Sequence, residues 1–421
     1  MCISFQINLV LNNMQSNSKN AACSFESCPE EIYIIIFKYL SAKDLLTCRA
    51  VNKTWRTLAD YCGQHQNRWM ALLKERMHNR GVTFQQRSNL GNKDLYLNSC
   101  MWKYVCTAQA RLERVYDIKE AQKINVYRDN LIVVCKDSVK FFNLEQGKII
   151  KEISGEYLDY QETDFLIARV TLKDGKKHMS LYCKLHDKTY ESPGFKIYSI
   201  QKNKCYISNA KNCMVMYVCT STYFKELTLG RFYSNPNLLR AIFMYEDDMY
   251  LYVANGNIFH HRKGNLGLTL VCTSEVPTPP GILTNTPSDP FKAMFHKYST
   301  VFTVKTKKEA GMIKNVDTYT RKEHLILLFV DLTCATEHGD VLLLGFKDGK
   351  VEIIIVSRYW TCTDLKADFS FYIQDVAQVA EVEPIRSLEV YEGEGCHHIL
   401  VMTSKLYQVV ISHADYKKVM P

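Results

Sequence analysis

Two adjacent histidine pairs, His260-His261 and His397-His398, and the neighbouring Cys396 are the side chains best suited by type to hold a metal or attack an electrophile. Their spacing argues against both. Successive side chains of a strand point to opposite faces, so a His-His dipeptide cannot readily clasp one ion, and a cysteine directly beside a histidine is poorly placed for base activation. The sixteen cysteines contain no Cys-x-x-Cys; the closest two are Cys23 and Cys28, which leaves a zinc site no local ligand pair. The sequence has no glycine-rich phosphate loop, no Gly-x-Ser-x-Gly elbow and no His-Glu-x-x-His helix. The expectation is therefore a chain with no catalytic residues, no metal and no cofactor.

What remains is the scaffold, and its composition is that of an ordinary globular protein, 47% hydrophobic and 23% charged over 421 residues. That length predicts two domains. The net charge of +9 is scattered in short clusters such as KDGKKH (173–178) and KTKK (305–308), which reads as a solvated face, with no nucleic-acid partner expected. Residues 1–20 lack a basic, apolar and small-residue signal, and no apolar run approaches the ~20 residues of a membrane span, so no membrane partner is expected. Without such a signal the cysteines read as reduced thiols of a cytoplasmic or nuclear protein.

Helix grammar dominates the first part. In PEEIYIIIFKYL (29–40), Pro29 suits a helix start, and Glu30 and Glu31 face the positive end of the dipole. Ile32, Ile35, Ile36, Tyr39 and Leu40 recur at helical spacing, while Ile34 and Phe37 widen the stripe beyond one face. A helix this apolar needs two partners. Ser41 with Asp44 forms a capping-box pattern ahead of Leu45, Leu46 and Cys48, Asn52 caps a third helix bearing Trp55, Leu58 and Ala59, and a fourth is predicted from Gln64 to Asn79.

Read together, CPEEIYIIIFKYLSAKDLLTCRAVNKTWRTLAD (28–60) resembles an F-box. The match runs through Pro29, Glu31, Ile32, Ile36, Phe37, Tyr39, Leu40, Ser41, Asp44, Leu45, Val51, Lys53, Trp55 and Leu58; Cys28 stands where that family usually has leucine. The resemblance implies docking on the Skp-type adaptor of a cullin-based (SCF) ubiquitin ligase, and through it on the cullin and RING subunits. Carried over residue by residue, the adaptor contacts are Pro29, Ile32, Ile36, Leu40, Leu45, Val51 and Trp55. Trp69 resembles the tryptophan of the helix that often follows an F-box.

Beyond about residue 110 the texture becomes strand-rich, with short Val, Ile, Tyr and Phe runs broken by turns at Asp174-Gly175, Asn255-Gly256 and Asp348-Gly349. The two Lys-Asp-Gly-Lys turns begin at 173 and 347, a separation of four steps of about 43 residues, the size of one propeller blade. KFFNLEQGKII (140–150) resembles the outer strands of a WD-repeat blade, although no Trp-Asp pair or Gly-His opening is present. Residues 276–290 hold five of the ten prolines and read as a long surface loop.

The predicted fold is a multidomain α+β chain: a flexible tail at 1–23, a small helical F-box at 24–63, a helical linker at 64–110, and at 111–421 a large all-β domain, a propeller of about seven blades. The resemblance implies a non-catalytic substrate-recognition subunit, its β domain recruiting an unknown protein for ubiquitination; the alternative is a non-ligase scaffold acting through the propeller.

Overall fold

Two helices of the first unit begin on a side chain that satisfies an exposed backbone donor. Pro29 is the N-cap of α1 (Glu30–Phe37), one position ahead of the first helical residue. The Ser41 hydroxyl accepts from the Asp44 backbone N–H and donates to the Asp44 carboxylate, opening α2 (Ala42–Val51). Asn52 Oδ1 accepts from the Trp55 N–H at 2.8 Å and opens α3 (Lys53–Gln64). Such caps are each worth ~1 kcal/mol. This computed structural model describes residues 28–413 except 66, 77–85, 119, 196, 209–212, 232–238, 246–247, 254–257, 262–268, 273–291, 296–299, 307–309, 318–322 and 359–365; between 230 and 330 it describes strands, with the side chains of Ile242 and Leu251 alone. The tail at 1–23, the Asn255-Gly256 turn and the proline-rich stretch 276–290 lie outside the described residues.

The chain divides into two compact units after Leu72. In the first, α1 and α2 both pack on α3. Its core is Tyr33, Phe37, Leu45, Cys48, Leu58, Ala59 and Cys62. Trp55 lies 5.7 Å from the Tyr33 ring and 5.5 Å, edge on, from Phe37. Arg68 closes the end of α1 by donating to the Leu40 carbonyl at 2.7 and 3.2 Å. Arg68 begins α4 (Arg68–Arg76), later than the predicted Gln64 because Gln64 ends α3 instead; residues 77–79 of the predicted helix lie outside the described residues.

Gly63 near the end of α3 has a specific packing role. A Cβ there would sit 2.3 Å from Nε1 of Trp69, which is itself buried. Gly→Ala inside a helix ordinarily stabilises by ~1 kcal/mol. Gly63→Ala is expected to destabilise by about 1–3 kcal/mol through overpacking, read from denaturant unfolding; a stabilised variant would contradict the contact.

The second unit contains α5 (Asn92–Met101), a 3₁₀ helix (Trp102–Thr107) and seven four-stranded antiparallel sheets. Six sheets use consecutive strands, at 121–154, 159–193, 197–231, 239–272, 292–330 and 332–372, and are taken as blades 1 to 6. Blade 7 combines Ser387–Gly393, Cys396–Met402 and Leu406–His413 with Ala108–Tyr116, which pairs from Ala108↔His413 to Tyr116↔Leu406. The first strand of the unit thus becomes the outer strand of the last blade.

First strands of neighbouring blades touch around the circle, including Ala121–Tyr127 of blade 1 against Ser387–Gly393 of blade 7. Between blades 2 and 3 the link is Tyr198 donating to Asp159 at 2.7 Å. The all-β domain is therefore a closed seven-bladed propeller, starting at Ala108 and so slightly before the predicted 111. Both Lys-Asp-Gly-Lys turns join the second and third strands of their blades, in blades 2 and 6, four blades apart as their spacing implies. At Asp174-Gly175 both residues have positive φ, +51° and +70°, the hairpin geometry that this dipeptide favours.

Candidate functional site

On α1 the buried and exposed faces separate cleanly. Tyr33 and Phe37, one turn apart, face α3 and are buried. Opposite them Ile32 is 41% exposed, Ile35 52% and Tyr39 68%, with Pro29 also exposed. Ile32 and Ile35, three residues apart, share one face of the helix, Pro29 and Tyr39 flank its two ends, and Val51, at the end of α2, is exposed as well. Exposed apolar patches of this kind commonly mark protein interaction sites.

The residues predicted to meet an adaptor divide accordingly. Pro29, Ile32 and Val51 are exposed, and Ile36, Leu40 and Trp55 are half-buried. Leu45 is fully buried in the unit's own core. Ile35 and Tyr39 are exposed along with Pro29 and Ile32. Because α1 is apolar nearly all round, the sequence does not say which stripe is exposed; with Tyr33 and Phe37 packed on Trp55, Ile32, Ile35 and Tyr39 are the more exposed.

In the propeller, the histidines turn inward to structural work. Glu392, at the end of the first strand of blade 7, is wholly buried. Its Oε1 accepts from His338 Nε2 at 2.7 Å and from Trp102 Nε1 at 3.0 Å. Its Oε2 accepts from His397 Nδ1 at 2.7 Å and Asn98 Nδ2 at 3.0 Å. Trp102 also stacks on His397, with centroids 3.9 Å apart. One carboxylate thus joins α5, the 3₁₀ helix, blade 6 and blade 7. Arg87 reinforces the junction with an ion pair to Glu389 at 3.0 Å.

Burial alone would raise the Glu392 pKa, but the two histidines outweigh it and hold the carboxyl far below the usual range. His338 is pushed down to about 4, chiefly by burial, against the pull of Glu392. His413 is likewise at about 4, through burial and the nearby His397. Against the ordinary 6.5, both histidines bind protons more readily in the unfolded chain. Their stabilising contribution is complete above about pH 6.5 and is lost as pH falls toward 4. Unfolding free energy is expected to drop between pH 7 and pH 5 by on the order of 2 kcal/mol per histidine. Urea midpoints at the two pH values measure this; His338→Gln should flatten the slope, and an unchanged midpoint in the unsubstituted chain would contradict it.

His397 and His398 do face opposite ways, as their adjacency dictates. His398 Nε2 meets Cys396 Sγ at 3.3 Å, so the cysteine's partner is two residues away and not the adjacent His397. Burial, followed by the Glu392 charge, pushes that thiol up to about 11, opposite to what a nucleophile needs. His260 and His261 end a blade 4 strand, and their side chains lie outside the described residues. Among the described residues no group of three or more His, Cys, Asp or Glu is arranged to hold a metal, and no helix is long and apolar enough to cross a membrane.

A family model described as F-box-like matches residues 25–62. The chain therefore carries an F-box-like domain, followed by a seven-bladed propeller. No curated protein matches the sequence. Similar solved structures include the RRP9 WD40 repeats, at 8% identity and TM-score 0.48, covering 72% of this chain and 99% of that one. The β-propeller domain of Cps50 (Swd1) from Myceliophteria thermophila has 10% identity and TM-score 0.47, with 72% and 99% covered. The N-terminal domain of Nup159 has 10% identity and TM-score 0.44, with 73% and 96% covered. The propeller assignment rests on the seven sheets and their closed circuit, not on these distant likenesses. Both modules are typically interaction modules without catalysis of their own.

Proposed function

We propose that the protein is the substrate-recognition subunit of an SCF-type ubiquitin ligase, acting in the cytoplasm or nucleus. The observation that carries this reading is the exposed apolar face of α1, Pro29, Ile32, Ile35 and Tyr39, on a domain whose own core is already filled by Tyr33, Phe37 and Leu45. That face docks on a Skp-type adaptor, which joins the cullin and RING subunits. The propeller holds a protein substrate on a loop-bearing face or in its central channel, where basic side chains engage phosphorylated or acidic segments. Chemistry is left to the ubiquitin-charged enzyme. The receptor contributes by raising the effective concentration of a substrate lysine beside it.

Reconstitution tests this. Full-length protein assembled with adaptor, cullin and RING subunits should support ubiquitin transfer to a partner retained by the propeller. Adaptor binding with no transfer to any retained partner would instead favour a scaffold role.

A further inference from the structure

The sequence reading takes the cysteines as reduced thiols because no secretion signal is present, and their spacing along the chain singles out no pair. In space, two of them come together. Sγ of Cys183 and Sγ of Cys219 lie 2.8 Å apart, and both residues are fully buried. Each is the last residue of the third strand of its blade, Lys176–Cys183 in blade 2 and Cys213–Cys219 in blade 3, so they occupy equivalent positions of successive repeats. We propose that Cys183 and Cys219 form a reversible disulfide that staples blade 2 to blade 3.

Three observations carry it. The sulfur separation is less than 1 Å longer than the roughly 2.05 Å of a disulfide bond, so closure needs only a small side-chain movement. The backbones around the pair are already fixed: the Lys184 N–H donates to the Phe165 carbonyl and the Cys219 N–H to the Asn203 carbonyl, at 2.9 and 2.8 Å. A direct link between blades also runs beside the pair, His186 Nε2 to the Thr220 carbonyl at 2.8 Å, which holds the two strand ends together. The turns immediately after each cysteine are at the surface, where Leu185, Ser221 and Thr222 are exposed.

With hydrogen peroxide as oxidant the step balances. The Cys183 thiolate attacks one peroxide oxygen, forming a sulfenic acid and releasing hydroxide. The released hydroxide takes the proton of the Cys219 thiol, which burial raises to about 12, giving the first water; the Cys219 thiolate so formed attacks the Cys183 sulfur, the S–O bond breaks, and the oxygen leaves as hydroxide, which becomes the second water on taking up the proton lost from Cys183. Overall two thiols and one peroxide give one disulfide and two waters. A dithiol reductant reverses it.

The test uses the full-length chain, purified reduced and exposed to graded hydrogen peroxide. Free thiols are blocked with N-ethylmaleimide under denaturing conditions, and the chain is digested without reduction for mass spectrometry. The expected result is a cross-linked peptide pair containing Cys183 and Cys219 that dithiothreitol releases. The Tm should rise on oxidation by on the order of 5 °C, because the bridge closes a 36-residue separation, and Cys183→Ser should lose both effects. The exposed Cys106 reports that oxidant was effective. Complete alkylation of Cys183 and Cys219 in samples where Cys106 is oxidised would overturn the proposal, and it needs no variant to fold. A bridge from either residue to Cys205, which lines the same core, would overturn it equally.

Discussion

Glu392→Ala is expected to cost the propeller several kcal/mol, about 3–5 if the site behaves like other buried ion networks broken from one side. The substitution removes an acceptor shared by His338, His397, Trp102 and Asn98, all of which remain buried, while Asn98 keeps its bond to the Gly393 carbonyl at 2.6 Å. A buried donor left without an acceptor costs about 1–3 kcal/mol unless water reaches it. Against a total stability of roughly 5–15 kcal/mol for a domain, a loss of this size is a large fraction. Glu392→Gln should cost less, because its carbonyl keeps one pair of donors while its amide opposes the other. Urea unfolding of the three proteins measures the series; an alanine variant within about 0.5 kcal/mol of the parent would show that the junction is not held by this carboxylate.

The second large effect separates the exposed face of α1 from its supporting core. Ile35→Asp combined with Tyr39→Asp should weaken capture of the Skp-type adaptor by at least about 100-fold, since charges would be buried in an apolar interface. Stability should barely change, because Ile35 and Tyr39 are 52% and 68% exposed. Leu45→Ala should behave in the opposite sense: it opens a cavity in the core, costs about 2–5 kcal/mol, and affects binding only as far as the helices unfold. Adaptor capture by pull-down, with circular dichroism on the same samples, distinguishes the two. Undiminished capture by the double aspartate variant would move the docking surface off this face.

These two cases also mark how far the sequence can be read. Signals confined to a few residues were legible: the Ser41 and Asn52 caps, the Asp174-Gly175 hairpin, and the four-blade interval between the Lys-Asp-Gly-Lys turns all appear in the fold. Contacts set by packing were not. Leu45 matches the F-box pattern as well as Ile32 does, and only the packing of α2 on α3 turns it inward. The strand Ala108–Tyr116 looks like the start of a first blade, yet it closes the last one, because pairing with Leu406–His413 joins distant ends of the chain. Glu392 sits in an ordinary Tyr-Glu-Gly-Glu-Gly turn sequence, and nothing local reveals that His338 and Trp102 converge on it. Cys183 and Cys219 likewise come together through blade stacking, which cysteine spacing along the chain does not encode.

Calorimetric titration of the full-length protein with a purified Skp-type adaptor is the most direct test of the central claim. The account predicts one-to-one binding tighter than about 1 μM, with a negative heat-capacity change as the apolar face of α1 leaves water. No detectable binding, from protein whose helices and propeller are both folded, would contradict it and leave PEEIYIIIFKYL without its assigned partner.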